Sequence, residues 1–351
     1  MAAASSTQSS SGRSNASLAR AKRISPPPIR WRSRGRYAVE QLEPRTLFQA
    51  VSWANVNSGD WDVPGNWSNN AIPTAADDVT INMPGVTVTH STGSDAANSV
   101  TSTDPILLTG GTLSIALNLQ LANTFTLSGG LLDSATVTGT PNELTGTAVG
   151  GILSNVTFNV DMLIPDGASV TIENGLALNG GNINLAAATT ITQLNFINSG
   201  PLGIEGNGSI LFGGGAPQFD SMLVDDTNGG LSISSTNGIS GAAGTITSIG
   251  GGGTFEMDGT LSANAPGNGI TLSGPFWDNE GTFQAINGGT LTLNTTPTGQ
   301  GTYVENNSTF NLGGVSGSTG IPSDHRFFMS FTLAGLGNFS PFNGALSGVP
   351  R

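Results

Sequence analysis

Leu113, Ile115, Leu117, Leu119 and Leu121 fall on every second position behind the glycine pair Gly110–Gly111. That period is the one of a β-strand with a single buried face, entered from a glycine bend. The phrase returns along the chain. Val156, Phe158, Val160 and Met162 alternate with Thr157, Asn159 and Asp161, followed by Val170 and Ile172, Leu176 and Leu178, and Ile183 and Leu185. Ile210 and Phe212, Leu231 and Ile233, Phe255 and Met257, Ile270 and Leu272, Leu291 and Leu293, and Phe310 and Leu312 continue it. No helical period competes, so the expected fold is all-β.

Glycine pairs begin at positions 110, 129, 150, 180, 229, 251 and 288. The gaps from 110 to 129, from 129 to 150 and from 229 to 251 match one turn of a parallel β-helix of roughly twenty residues. A single-stranded right-handed parallel β-helix is therefore the expected architecture over residues 86–312. Each coil would pair its backbone with the coils above and below, turning Leu, Ile, Val and Phe into the bore and Ser, Thr and Asn outward. Asn174–Gly175, Asn179–Gly180, Asn207–Gly208, Asn228–Gly229, Asn237–Gly238 and Asn287–Gly288 would sit at corners, where positive φ is needed. The same dipeptides are strong hairpin signals, which keeps an antiparallel β-sandwich as the alternative.

Three further segments are expected around the coils. Residues 1–50 read as a basic leader, rich in Ser, Ala, Arg and Pro, that cannot bury enough surface to offset ordering entropy and should be disordered. Trp53, Trp61 and Trp67 dominate residues 51–85, expected to be an N-terminal cap, because an open coil end would leave an apolar cross-section wet. Residues 313–351, with the dense patch His325-Arg326-Phe327-Phe328-Met329-Ser330-Phe331, read as a C-terminal cap or the truncated tail of a longer protein.

Charge changes the picture more than composition does. Nine of the 11 basic residues lie in the first 45 positions, which against Glu40 and Glu43 leaves that arm at +7; residues 46–351 hold two basic and 21 acidic residues, a net −19. From Thr46 to His325 there is no lysine or arginine. Such a body repels phosphate backbones, which argues against nucleic acid as a partner. It also lacks any run of about 18 apolar residues, so no transmembrane helix is expected. Cysteine is absent, which removes disulfides and thiolate zinc sites.

The residues Leu42-Glu43-Pro44-Arg45-Thr46-Leu47-Phe48 resemble the LEPR motif near the N-terminus of many large exported proteins of planctomycete-type bacteria, with Phe48 where a second leucine is usual. The resemblance implies export, to an extracellular or cell-surface location. The stretch from Thr46 to Val51 is shorter than an ordinary signal h-region, so a conventional secretory peptidase is not the expected processing enzyme. The Trp-rich stretch, with Asn66–Trp67, Ile72–Pro73 and Asp77-Asp78-Val79, looks like the opening of bacterial surface proteins built from autotransporter-like β-solenoid repeats.

Catalytic templates fail on the residues. A pectate-lyase-type reaction needs a lysine or arginine base beside calcium-binding carboxylates, and neither cation occurs from Thr46 to His325. A galacturonase-type hydrolase needs clustered aspartates, and Asp225–Asp226 is the only internal acidic pair in the coils, without the His-Gly or Arg-x-Lys phrases of that family. Asp225 and Asp226 therefore read as a solvated loop, and as carbohydrate contacts in the sharper version. For Trp53, Trp61 and Trp67 the sharper version is a sugar-stacking platform. His90 and His325 look solitary, and zinc ligation is not expected from either. Calcium could bridge scattered carboxylates, but no loop motif supports it and no cofactor is expected. The expected protein is a monomeric, non-catalytic surface or extracellular β-helix, structural or adhesive, with polysaccharide as partner class. A carbohydrate-active β-helix enzyme is the alternative.

Overall fold

The computed structural model describes residues 49–197, 200, 202–213, 220–225, 227–251, 253–267, 269–275, 277–295 and 297–312, and the strand backbone of Arg326–Ser330. The basic arm, Leu42 to Phe48, Asp226, and most of residues 313–351 lie outside them.

Every ladder between strands of the described residues is parallel, and successive partners are one coil apart. The body is a β-solenoid. Two-residue hairpins do not occur in these ladders, which sets the antiparallel sandwich aside. One face is a 13-stranded sheet running from Gly59–Asp60 through Val88–His90, Ile106–Leu108 and Phe125–Leu127 to Thr302–Asn306 and Arg326–Ser330. A second face contains Ser94–Ala97, Thr112–Ile115 and Leu131–Asp133, and a third Asp77–Ile81, Ser99–Ser102, Asn118–Leu121 and Thr136–Gly139. These two merge into one 20-stranded sheet, because Ile152–Phe158 and Ser169–Leu178 run unbroken through the corner between them. Asn155 and Asn174 make that turn at φ 53° and 58° while the ladder shifts register between Ser154 and Val156.

Alternation decides what faces inward. Val88, Ile106, Phe125 and Leu144 stack in one column of the first face. Leu113, Leu132, Leu153, Ile172, Phe196 and Val224 form one in the second face. Val79, Val100, Leu119, Val137, Phe158 and Leu178 form the third. All are buried and belong to one continuous core. The columns also give the coil length: Val88 to Ile106 to Phe125 to Leu144 steps by 18, 19 and 19 residues, whereas Ile183 to Ile210 to Ile239 steps by 27 and 29. Added residues in the longer coils leave the in-register core positions untouched.

The opening run from Leu113 to Leu121 is two strands rather than one. Thr112–Ile115 and Asn118–Leu121 meet at a corner, and Leu117 there is 56% exposed. Asn–Gly pairs also divide. Asn174–Gly175 and Asn287–Gly288 have positive φ, as expected, but Gly208 is not among the positive-φ residues; a Cβ on it would lie 1.9 Å from the Gly181 carbonyl oxygen of the preceding coil. Close approach, not conformation, excludes a side chain there.

Residues 49–76 are themselves the first winding, and Asp77–Ile81 opens the second. Gln49–Ser52 pairs with Asp77–Ile81, and Gly59–Asp60 with Val88–His90, so the first coil's strands already belong to the sheets. Trp67 folds back onto it through an antiparallel bridge to Trp53. Its ring sits edge-on to Trp61 and Trp53 with centroids 4.7 and 5.1 Å away, and its Nε1 donates to the Trp61 carbonyl at 2.8 Å. The indoles thus fill the bore's first layer, where later coils place Leu, Ile and Phe. Among the described residues the one helical turn is Pro64–Asn66, inside this loop.

Two substitutions test the stacking. Leu132→Ala should cost about 2–5 kcal/mol in denaturant unfolding, by lost transfer energy plus a cavity. Gly139→Ala should destabilise as well, because the residue sits at φ +111° and its Cβ would meet the Leu121 carbonyl oxygen at 2.0 Å. Unchanged denaturation midpoints for both would contradict this packing.

Candidate functional site

The three tryptophans are interior side chains. Trp53, Trp61 and Trp67 are 3%, 0% and 1% exposed, so no ring face is available for a sugar to stack on. Their sequence-predicted carbohydrate contact is replaced by core closure. Asp225 ends the strand Asp220–Asp225, where its Oδ1 accepts from the Thr227 backbone N–H at 3.0 Å and from the Thr227 hydroxyl at 2.5 Å. Those hydrogen bonds hold its carboxyl below the usual range. It is a turn-forming aspartate.

Other aspartates turn out to join coils. Asp78 Oδ1 accepts from Asn98 Nδ2 and the Ser99 hydroxyl at 2.7 and 2.6 Å. Asp104 Oδ2 accepts from the Met83 N–H at 2.7 Å, and Asp161 Oδ1 from both the backbone N–H and the side-chain amide of Asn182 at 2.9 Å. Asp166 takes three backbone N–H groups, from Ala188, Thr189 and Thr190, and both threonine hydroxyls, an arrangement that drives its pKa far down. Asp220, fully buried, accepts from the Ala187 N–H at 2.9 Å. In each case a carboxylate on one coil meets donors about one coil away in sequence.

One cluster breaks this pattern. His90 ends the strand Val88–His90 at an inward position, in register with Leu108, and is 0% exposed. Asp95 begins the next face, in register with Leu113, likewise at an inward position. Burying such groups in an apolar bore costs several kcal/mol unless they are bonded. The pair meets across the corner with His90 Nε2 3.0 Å from Asp95 Oδ2, and His90 Nδ1 lies 2.9 Å from the Gly110 carbonyl oxygen of the next coil. Asp62 descends from the first coil, bringing its carboxylate, His90 Nε2 and an Asp95 oxygen within 4.8 Å of one another. The tight turn at Gly93, φ +76°, runs beneath both carboxylates. Thr92 Oγ1 donates to Asp62 Oδ2 at 2.8 Å, and Asp60 accepts from the Asp62 N–H at 2.9 Å and the Ser91 hydroxyl at 2.5 Å. Trp61 sits beside the imidazole, the ring centroids 6.4 Å apart and the planes inclined by 60°. Burial, and then the Asp62 carboxyl, push Asp95 above the usual carboxylate range, against the pull of His90.

The carbonyl of Gly110 can only accept, so Nδ1 donates to it, and Nε2 shares a hydrogen with Asp95 Oδ2. His90 reads from the sequence as solitary; the fold supplies its partners from the preceding coil and from across the corner. The signal that could have placed it is parity, because Val86, Val88 and His90 share one face, as do Asp95 and Ala97.

A second acidic group is an exposed row. Glu256 and Asp278 are in-register partners on adjacent coils. Burial, followed by the charges of Asp258, Asp278 and Glu280, raises the Glu256 pKa.

Compared with protein families, with curated proteins and with solved structures, the chain finds no match in any of the three. The class that the fold defines is the parallel β-solenoid.

Asp166 and Glu256 should move stability in opposite directions. The lowered pKa of Asp166 stabilises the fold above the unfolded carboxylate range, and this is lost as pH falls through that range toward the folded value. Asp166→Ala should therefore lower Tm at pH 7 and make little difference at the acid extreme. The raised pKa of Glu256 works against the fold once the group ionises, so Glu256→Gln should raise Tm at pH 7 in low salt, with the gain shrinking as salt screens the row. Thermal scans of both variants across pH and ionic strength check this; shifts of the reverse sign would refute it.

Proposed function

We propose that this chain is an exported, non-catalytic β-solenoid with a structural or adhesive role at the cell surface or in the extracellular space. The observation that carries the reading is the use made of its aspartates. Asp78, Asp104, Asp161, Asp166 and Asp220 act as hydrogen-bond acceptors between coils, and Asp225 shapes a turn. Acid/base chemistry on a glycosidic bond asks for two carboxyls facing a substrate, with separations set by that reaction. Carboxylates already committed to five or fewer local donors are poorly placed for it.

The outer surface supports a display role. Thr80, Thr101, Gln120 and Thr138 form an in-register row on the third face, and Thr126 and Thr145 adjoin on the first. Such rows repeat hydroxyls and amides at the interstrand spacing of about 4.8 Å. They offer a polysaccharide many weak donors and acceptors in place of one deep pocket. The acidic, lysine-free body favours solubility through self-repulsion and disfavours polyanions. The resemblance of Leu42 to Phe48 to an export motif supplies the location. No helix among the described residues is long and apolar enough to cross a membrane.

Cell fractionation with N-terminal sequencing, followed by glycan-array binding and polysaccharide turnover assays on the purified chain, tests the proposal. Expected are material in the surface or medium fraction beginning beyond the Leu42–Phe48 region, near Ala50, and saturable glycan binding without turnover. Cytosolic material with an intact Met1–Arg36 arm would contradict export. Turnover of an acidic polysaccharide that disappears in Asp225→Asn and Asp226→Asn would make the chain an enzyme.

A further inference from the structure

The group of Asp62, His90 and Asp95 differs from every other buried polar site in the described coils in what faces what. Asp220 is as buried as His90, and a backbone N–H is aimed at its carboxylate. At the His90 corner two carboxylates converge on each other and on a ring nitrogen. No lysine or arginine occurs between Thr46 and His325, so no side-chain cation of the coils other than an imidazolium can balance them.

We propose that Asp62, His90 and Asp95 bind a divalent transition-metal cation of the Zn²⁺ class, which ties the first winding to the second. Four features of this corner bear on it. The imidazole is wholly buried, and its Nδ1–H is held by the Gly110 carbonyl, the outer-shell arrangement that orients metal-ligating histidines and fixes Nε2 as the donor atom. Nε2 and Asp95 Oδ2 lie 3.0 Å apart, so opening this hydrogen bond by a few tenths of an ångström reaches the roughly 3.4 Å between two tetrahedral ligands about 2.0–2.2 Å from one cation. Asp62 enters from a different coil, and its position is set by the Thr92 hydroxyl on Oδ2 and by the Asp60 carboxylate on its backbone N–H. Asp95 is only 15% exposed and Asp62 partly exposed, so the group has a covered floor and an open rim where water can complete the coordination shell.

Ligand chemistry selects the metal class. An imidazole nitrogen with two carboxylates suits borderline first-row divalent ions, whereas calcium and magnesium prefer all-oxygen shells. Binding would remove the repulsion between Asp62 and Asp95 and replace the proton that otherwise bridges the ring and a carboxylate. It would also anchor the loop carrying Trp61, whose tilted ring neighbours His90. The inference concerns the fold's N-terminal winding and is independent of where the chain is located.

The test uses the full chain, stripped with a chelator and titrated with Zn²⁺ by calorimetry, with thermal scans alongside and the visible spectrum of a Co²⁺ titration as a report on coordination. Expected are one saturable site per chain and a rise in Tm on adding Zn²⁺. Asp62→Asn, at the rim, should keep the metal-free fold, judged by circular dichroism, and weaken binding roughly tenfold to a hundredfold or more. His90→Gln should abolish it. His325→Ala and Asp225→Asn should bind like the parent chain. Absence of saturable binding by the parent chain would leave the corner occupied by a proton only and overturn the proposal. Undiminished affinity in a folded Asp62→Asn, or loss of affinity in His325→Ala, would overturn it as well.

Discussion

The constraint on which everything else rests is the in-register parallel stacking of successive coils. Once Val79 lies on Val100, and Val100 on Leu119, the orientation of every side chain on that face follows from parity alone. Apolar columns then grow with the number of coils, and each backbone N–H and C=O finds its partner above or below. A closed coil has no independent core of its own; its stability is shared with its neighbours. This explains why insertions are tolerated in the longer coils near Ile210 and Ile239, where extra residues leave the stacked positions alone. It also explains why glycine recurs where one coil's carbonyl crowds the next, as Gly181 crowds Gly208.

The same constraint assigns work to the acidic residues. A solenoid corner leaves backbone N–H groups outside the ladder, and a carboxylate from the neighbouring coil can accept several at once. Asp166 does so for three consecutive amides, Asp161 for the amide and side chain of Asn182. An acidic composition without lysine partners is thereby reconciled with a stable stack: the negative charge is met by N–H and O–H donors in place of ion pairs. At Asp62 and Asp95 the carboxylates instead converge on each other and on the His90 ring nitrogen, with the Thr92 hydroxyl as a further donor to Asp62.

Much of the architecture was legible in the residues, because a period of two and a recurring glycine bend are direct consequences of strand geometry and coil closure. Less legible was where one strand ends and the next begins. Ile115 and Leu119 share parity across the corner, so the run reads as one strand although Leu117 has left the interior. The merging of two faces through Asn155 and Asn174 was hidden too, since a left-handed asparagine inside an alternating run looks like any outward polar residue. Trp53, Trp61 and Trp67 were readable as a closure, but not as part of the first winding, because their strands are short and their partners lie a full coil away. The corner site was half legible: parity places His90 and Asp95 inward, while Asp62 reaches them only through the stacking of separate coils.

Double-cysteine cross-linking tests that stacking most directly, since the native chain has no cysteine. Thr126 and Thr145 are outward, in-register neighbours on adjacent coils, whereas Thr89 and Thr126 are separated by the coil of Leu107. Adjacent parallel strands lie about 4.8 Å apart, within thiol-bridging range, and a second coil doubles the distance. The account predicts rapid linkage of Thr126→Cys with Thr145→Cys by a short thiol cross-linker and little for Thr89→Cys with Thr126→Cys. Efficient linkage of the second pair with none of the first would contradict a parallel solenoid.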